Sequence, residues 1–333
     1  MSVKPEPASA LFAGPLALAT LSAPGRPQFP ALVTSDSQVV DLRAALRDDA
    51  LTMRGLLEQW AVALPLLYKF AADPGTERRP LADFRVHAPI EPRQVLQSGA
   101  NYRQHVIDLH VAHRDPADDR SEEDRRAEAA EIMDRRAAED LPYMFIGLPS
   151  AITGPYDDVV LPSWAEKPDW ELELAVVIGK PAYQVSVEEA LEHVAGYTIA
   201  NDLTDRATVF RRDMPQIGTD WLRSKNAPGF TPLGPWIVPA GSIADPDDVR
   251  VTLRLNGETM QEESTKDMIF NVARMVAYAS QAARLLPGDL ILTGSPAGNG
   301  MHWGRLLRDG DVMEGSVTGL GVQRTRCVAE AAS

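Results

Sequence analysis

The chain has 333 residues, a length that accommodates two domains of about 150 residues each. Its 44% hydrophobic and 24% charged residues supply a sizeable core and exclude a disordered or collagen-like chain. A net charge of -14 repels polyphosphates and anionic bilayers, so neither nucleic acid nor a membrane is expected as a partner. The lone cysteine, Cys327, cannot close an intrachain disulfide, which suits a reducing cytoplasm.

Residues 11–23 are apolar, but Gly14 and Pro15 interrupt them and Glu6 cancels Lys4 ahead of them, so they read as a loop and a strand rather than a signal peptide. Nothing else approaches the roughly 18 apolar residues of a membrane span. From 16 to 42, short β-prone runs alternate with turn clusters, which predicts a small sheet. Residues 51–72 are apolar at helical spacing, with a break expected at Pro65 and an end at Asp73-Pro-Gly75. These elements predict a small N-terminal α/β domain over 1–85, followed by a larger domain over 86–333.

Within the larger domain, 114–140 is densely charged, with little to bury except Ile132 and Met133. Ser121-x-x-Asp124 resembles a capping box, and Glu122/Arg126 and Glu131/Arg135 are i,i+4 pairs, so a solvated helix is expected there. It is either an inert surface excursion or a mobile lid. Strands follow at 171–178, 196–200, 236–238, 251–255 and 289–293, interrupted by helices at 187–193, after a Ser186 cap, and at 270–286, before Pro287-Gly288. Their irregular spacing favours an α+β, mainly β architecture over a doubly wound sheet.

Three constellations carry chemistry. In DWELELAVVIG (169–179), strand alternation puts Glu171 and Glu173 on one face, where they either face water or share a hard divalent cation. Asp202 closes a neighbouring strand and is either a third ligand or a turn residue. In NYRQHVIDLHVAH (101–113), His105 and Asp108 lie one helical turn apart, so the carboxylate can orient the imidazole as a base for water. His105, His110 and His113 lack the spacing of a zinc site. The loop LTGSPAGNG (292–300) offers backbone amides and the hydroxyls of Thr293 and Ser295, without a P-loop or dinucleotide fingerprint. Trp164, Trp221, Trp303 and Phe145 make either a wide apolar pocket or core.

These segments, together with PYMFIGLPSAITGP, AGYTIANDLTDR, SKNAPGFTPLGPWIV, LRLNGE and GLGVQR in this order from Gln97 onward, resemble the fumarylacetoacetate hydrolase family. The resemblance implies a mixed β-sandwich roll with a small N-terminal domain, assembled as a homodimer. It implies Glu171, Glu173 and Asp202 as ligands of a divalent metal, Mg before Mn or Ca. It makes Lys225 the active-site lysine, His105 with Asp108 the water-activating dyad, and Arg206, Tyr102, Thr293 and Ser295 the substrate contacts. The dyad acid is Asp108 where the family usually has Glu, and Val209 stands at an often polar position. The implied activity is hydrolysis of a C–C bond in a small 2-oxo or 2,4-dioxo acid, to pyruvate or a homologue and a carboxylic acid. Alternatives are decarboxylation, tautomerisation, isomerisation or hydration of a 2-oxo acid on the same metal, or ligand binding without turnover.

Overall fold

The computed structural model describes residues 12–112, 120–216 and 218–331. Strands dominate, and the fold is mixed α/β. The first strand, Leu16–Ser22, shows why: Leu16 and Leu18 point into one apolar cluster, whereas Ala17, Ala19 and Leu21 point into another. Buried on both faces, it has no polar alternation. It lies in a five-stranded sheet ordered Arg79–Pro80, Gln38–Asp41, Phe29–Thr34, Leu16–Ser22, Arg85–His87.

The apolar stretch 51–72 forms two helices, Met53–Glu58 and Trp60–Ala72. The break falls at Gln59, not at Pro65, which lies inside the second helix. Pro65 and Ala61 are both exposed, so the Ala61 carbonyl that loses its amide donor can turn to water. Leu56, Leu57, Ala63 and Leu67 from these helices pack with Leu16, Ala175, Val177 and Leu292. The N-terminal elements therefore share a core with the central sheet.

That central sheet has six strands, ordered Val238–Pro239, Val194–Asn201, Leu172–Ile178, Leu290–Leu292, Val95–Ser98, Met144–Gly147. Every residue of Leu172–Ile178 is buried. Leu172, Leu174 and Val176 face a second five-stranded sheet, ordered Glu258–Ser264, Arg250–Leu255, Val312–Val317, Gly321–Ala329, Val159–Leu161. Helix Val272–Ala282, capped by Asn271, packs Val272, Met275, Val276 and Ala279 into the same core at helical spacing. Each such fully buried aliphatic side chain contributes about 1.5–3 kcal/mol.

The charged segment is helix Glu122–Glu139, with Ser121 Oγ accepting from Asp124 N and Arg126 paired to Glu122 at 3.0 Å. Among the described residues no Glu131–Arg135 pair forms. Met133 is buried as expected and Ile132 packs partly against the core, but Ala129 joins them there and Arg125 is buried too, at spacing four, which corrects the expectation that little else would be. Two bridges tie it to helix Arg103–Ala112, Arg103 to Asp134 and Arg126 to Asp108, both at 2.9 Å. The stretch 113–119, with the first residues of the lid reading, lies outside the described residues.

Candidate active site

Four neighbouring strands of the central sheet deliver the site. Pairing of Leu172 with Asn201, Ala175 with Leu292, and Leu292 with Gln97 brings Glu171, Glu173, Asp202, Thr293 and Gln97 to one end of the sheet. Glu171, Glu173 and Asp202 each offer an oxygen within 4.8 Å of the others. Glu173 and Asp202 are buried and Glu171 nearly so, which disposes of the water-facing reading of Glu171 and Glu173.

The partners are specific. Glu171 Oε2 accepts from Lys225 Nζ at 2.7 Å and its Oε1 from Arg206 at 2.5 Å. Asp202 Oδ2 accepts from the same ammonium, and Oδ1 from Gln97 Nε2 at 2.6 Å. Among the described residues Glu173 accepts only from Gly294 N, at 2.7 Å. Burial works to raise the Glu171 carboxyl, but Arg206 and Lys225 overcome it and hold it at about 2. Burial and then the Asp202 charge push Glu173 well above the usual carboxylate range. Burial also pulls on the Lys225 ammonium, yet Asp202, Glu171 and Glu173 hold it above the usual lysine value. Three converging buried carboxylates, one short of a counter-charge, together with the unpartnered buried Gln97 Oε1, fit a divalent cation with hard oxygen ligands.

The remaining expected residues are placed less uniformly. His105 sits on helix Arg103–Ala112, and burial first, with Arg206, lowers its imidazole below the usual value despite the opposing charge of Glu171. The shift favours the neutral imidazole. The expected His105–Asp108 hydrogen bond is not made: Asp108 Oδ1 accepts from Gln104 Nε2 and from Arg126, both at 2.9 Å. The short aspartate reaches Gln104 one turn back and the neighbouring helix instead.

Arg206 is not free to face a substrate, because Asp169 takes its Nε at 2.9 Å while Glu171 takes the other edge. Tyr102 is fully buried, its hydroxyl unpartnered and within the field of Glu173. Thr293 donates its hydroxyl to Leu174 O at 2.9 Å, and Ser295 Oγ accepts from Gln261 at 2.7 Å. His110 is exposed, and His113 lies outside the described residues.

Two functional residues were missed. Gln97 steadies a metal-cradle carboxylate 105 positions away, a contact that no local pattern announces. Asp169 is fully buried and accepts from Arg206 Nε, Trp170 N at 2.8 Å and Gly300 N at 2.5 Å, which ties the glycine-rich loop to the cradle. Its place two residues before Glu171 in the sequence was the available signal.

Comparison with known proteins agrees with this geometry. The chain matches the family described as fumarylacetoacetate (FAA) hydrolase C-terminal over residues 94–328. It is 44% identical over 186 residues to a 2,4-didehydro-3-deoxy-L-rhamnonate hydrolase from Sphingomonas sp. (strain SKA58), covering 55% of this chain and 64% of that one. It is 41% identical over 183 residues to the human mitochondrial oxaloacetate tautomerase FAHD2A, covering 54% and 57%. The chain thus spans less than two thirds of the length of either relative. Its fold superposes, with a TM-score of 0.71 and 25% identity, on a maleylpyruvate hydrolase from Sphingobium sp. SYK-6 solved with manganese and pyruvate, covering 95% of this chain and all of that one.

Proposed function

The chain belongs to the fumarylacetoacetate hydrolase family, and we propose that it hydrolyses the C3–C4 bond of a 2,4-dioxo acid. Water adds at C4, the C3–C4 pair leaves with C3 and picks up a proton there, and the products are pyruvate or a homologue and a carboxylic acid. One arrangement carries the reading: His105, half-buried on helix Arg103–Ala112, stands in the field of Glu171, beside the converging carboxylates of Glu171, Glu173 and Asp202. Decarboxylation needs only the cradle; hydrolysis also needs a base for water, and tautomerisation a base for the C3 proton, so the base sets these two apart from decarboxylation.

Glu171, Glu173 and Asp202 would hold the ion, most simply Mg, whose Lewis acidity favours the enolate of a chelated 2-oxo acid. His105 takes the proton from water. Lys225 gives its three N–H donors to Glu171 Oε2, Asp202 Oδ2 and Asp202 O, so it acts on the oxyanion developing at C4 through its charge and by positioning those carboxylates. Arg206 holds Glu171 in place and is itself held by Asp169, so its role is positioning. Thr293 closes the sheet end through Leu174, and Gly294 N fixes Glu173. We further propose a cytoplasmic homodimer, with residues 1–85 as the small domain beside a sandwich-roll catalytic domain over 86–333. Among the described residues no helix is long and apolar enough to cross a membrane.

A tautomerase acting on an oxaloacetate-like acid is the second reading. It is favoured by Asp108, which bonds Gln104 and Arg126 rather than His105, and by the likeness to the human tautomerase. Assaying wild type and His105→Ala on an acylpyruvate and on oxaloacetate separates the two. Loss of acylpyruvate cleavage by at least a hundredfold in the variant is expected; no cleavage by the wild type replaces hydrolase with tautomerase, and undiminished cleavage by the variant removes His105 as the base.

A further inference from the structure

Above the active-site lysine the chain builds an aromatic slab. Phe145 and Trp221 stack with centroids 4.5 Å apart and planes 14° from parallel, and the Lys225 ammonium lies 5.7 Å from one ring centre and 5.9 Å from the other. The same ammonium touches Glu171 and Asp202, so the slab borders the reacting centre. It is held there by the elements that hold the site. Phe145 pairs in register with Gln97, the residue that steadies Asp202, across strands Val95–Ser98 and Met144–Gly147. Trp221 opens the helix Trp221–Lys225, one turn ahead of the lysine and on the same face.

The slab differs from core packing. The core rings Trp170, Trp236, Phe230 and Phe270 are all at 1% exposure or less, whereas Phe145 and Trp221 are only partly buried. The indole N–H of Trp221 is already given to Tyr143 Oη at 2.6 Å, so what remains on offer is ring face. Of the cations nearby in sequence, Arg206 and Arg211 are engaged, Arg223 lies over the Trp164 ring at 5.9 Å from its centre, and Arg212 is exposed. Arg211 is gripped by both oxygens of Asp213, at 2.8 and 2.6 Å, and Arg206 is divided between Asp169 and Glu171. A substrate tail carrying a second carboxylate would meet aromatic faces there.

Resting on the hydrolase reading above, we propose that Phe145 and Trp221 form the acyl-binding wall and select a flat, uncharged acyl group, aroyl or enoyl, on the 4-oxo carbon. Stacking of a planar group on such a face is stronger than contact with a methyl, and a carboxylated tail is disfavoured by the negative ring faces. The substrate class is thus an aroyl- or enoylpyruvate.

The test compares kcat/KM of the Mg-loaded full chain for benzoylpyruvate and acetylpyruvate, and for an acylpyruvate ending in a carboxylate, in wild type, Trp221→Leu and Phe145→Leu. We expect benzoylpyruvate to lead acetylpyruvate by at least tenfold, the carboxylated acid to trail both, and the lead to shrink at least fivefold in each variant. A wild-type ratio within twofold, a preference for the carboxylated tail, or equal losses on both substrates would overturn the proposal, the last showing a stack that only steadies Lys225. Binding of the same acids to the His105→Gln protein separates failure of the wall from failure of the hydrolase reading. Tighter binding of benzoylpyruvate with no turnover by wild type keeps the wall and removes the hydrolase; equal binding with no turnover removes both.

Discussion

Replacing Lys225 by Met tests the electrostatics of the cradle most sharply. The ammonium is 2% exposed, donates to Glu171 and Asp202, and is the nearest compensating charge for Glu173, which has only one backbone donor. Methionine keeps the volume and removes the charge. Taking one partner out of a buried ion pair costs about 3–5 kcal/mol, a large share of the roughly 5–15 kcal/mol that holds an ordinary domain together. The assay is urea unfolding of wild type and variant, in chelator and in excess Mn. In chelator the variant should lose about 3–5 kcal/mol. Because a cation then enters a more negative cradle, Mn should bind Lys225→Met at least tenfold more tightly, and by mass action should restore up to about 4 kcal/mol at a thousandfold excess over Kd. A chelated variant within about 1 kcal/mol of wild type, or weaker Mn binding, would refute the placement of the ammonium among the three carboxylates.

The lowered basicity of His105 sets a pH dependence: a proton on the imidazole removes the base, so kcat/KM should fall as pH drops through a value below the usual 6.5. A pH–rate profile with its acid limb above 6.5 would contradict the burial argument. Asp108→Ala should cost less than about tenfold in kcat, far less than loss of His105, because Asp108 serves Gln104 and Arg126; equal losses would restore the dyad. Gly300→Ala should destabilise the fold by about 1–3 kcal/mol, since its Cβ would meet Arg305 O at 2.3 Å and Asp169 Oδ1 at 2.6 Å; an unchanged Tm would contradict the tie between loop and cradle.

What could be read in advance followed short-range periodicity. The two-residue alternation of Glu171 and Glu173 and the position of Asp202 at a strand end pointed to carboxylates that the fold does bring together, because strand geometry fixes faces without reference to the rest of the chain. The failures are long-range. Gln97 reaches Asp202 through a parallel pairing with Leu292, and Arg126 captures Asp108 from another helix, neither of which leaves a local trace. The stripe of Arg125, Ala129 and Met133 was present at spacing four, but two small or charged members hid it among surrounding charges. Pro65 misled because a proline inside a helix is costly on average, yet an exposed turn can give its orphaned carbonyl to water.

The central claim is that a carboxylate-held divalent ion and a neutral histidine cleave a carbon–carbon bond. Following acetylpyruvate by proton NMR in deuterated buffer, with Mg and after exhaustive chelation, tests it in one experiment. The account predicts pyruvate and acetate in equal amounts with Mg, and neither after chelation. Deuterium exchange at C3 without acetate, or cleavage that survives chelation, would contradict it.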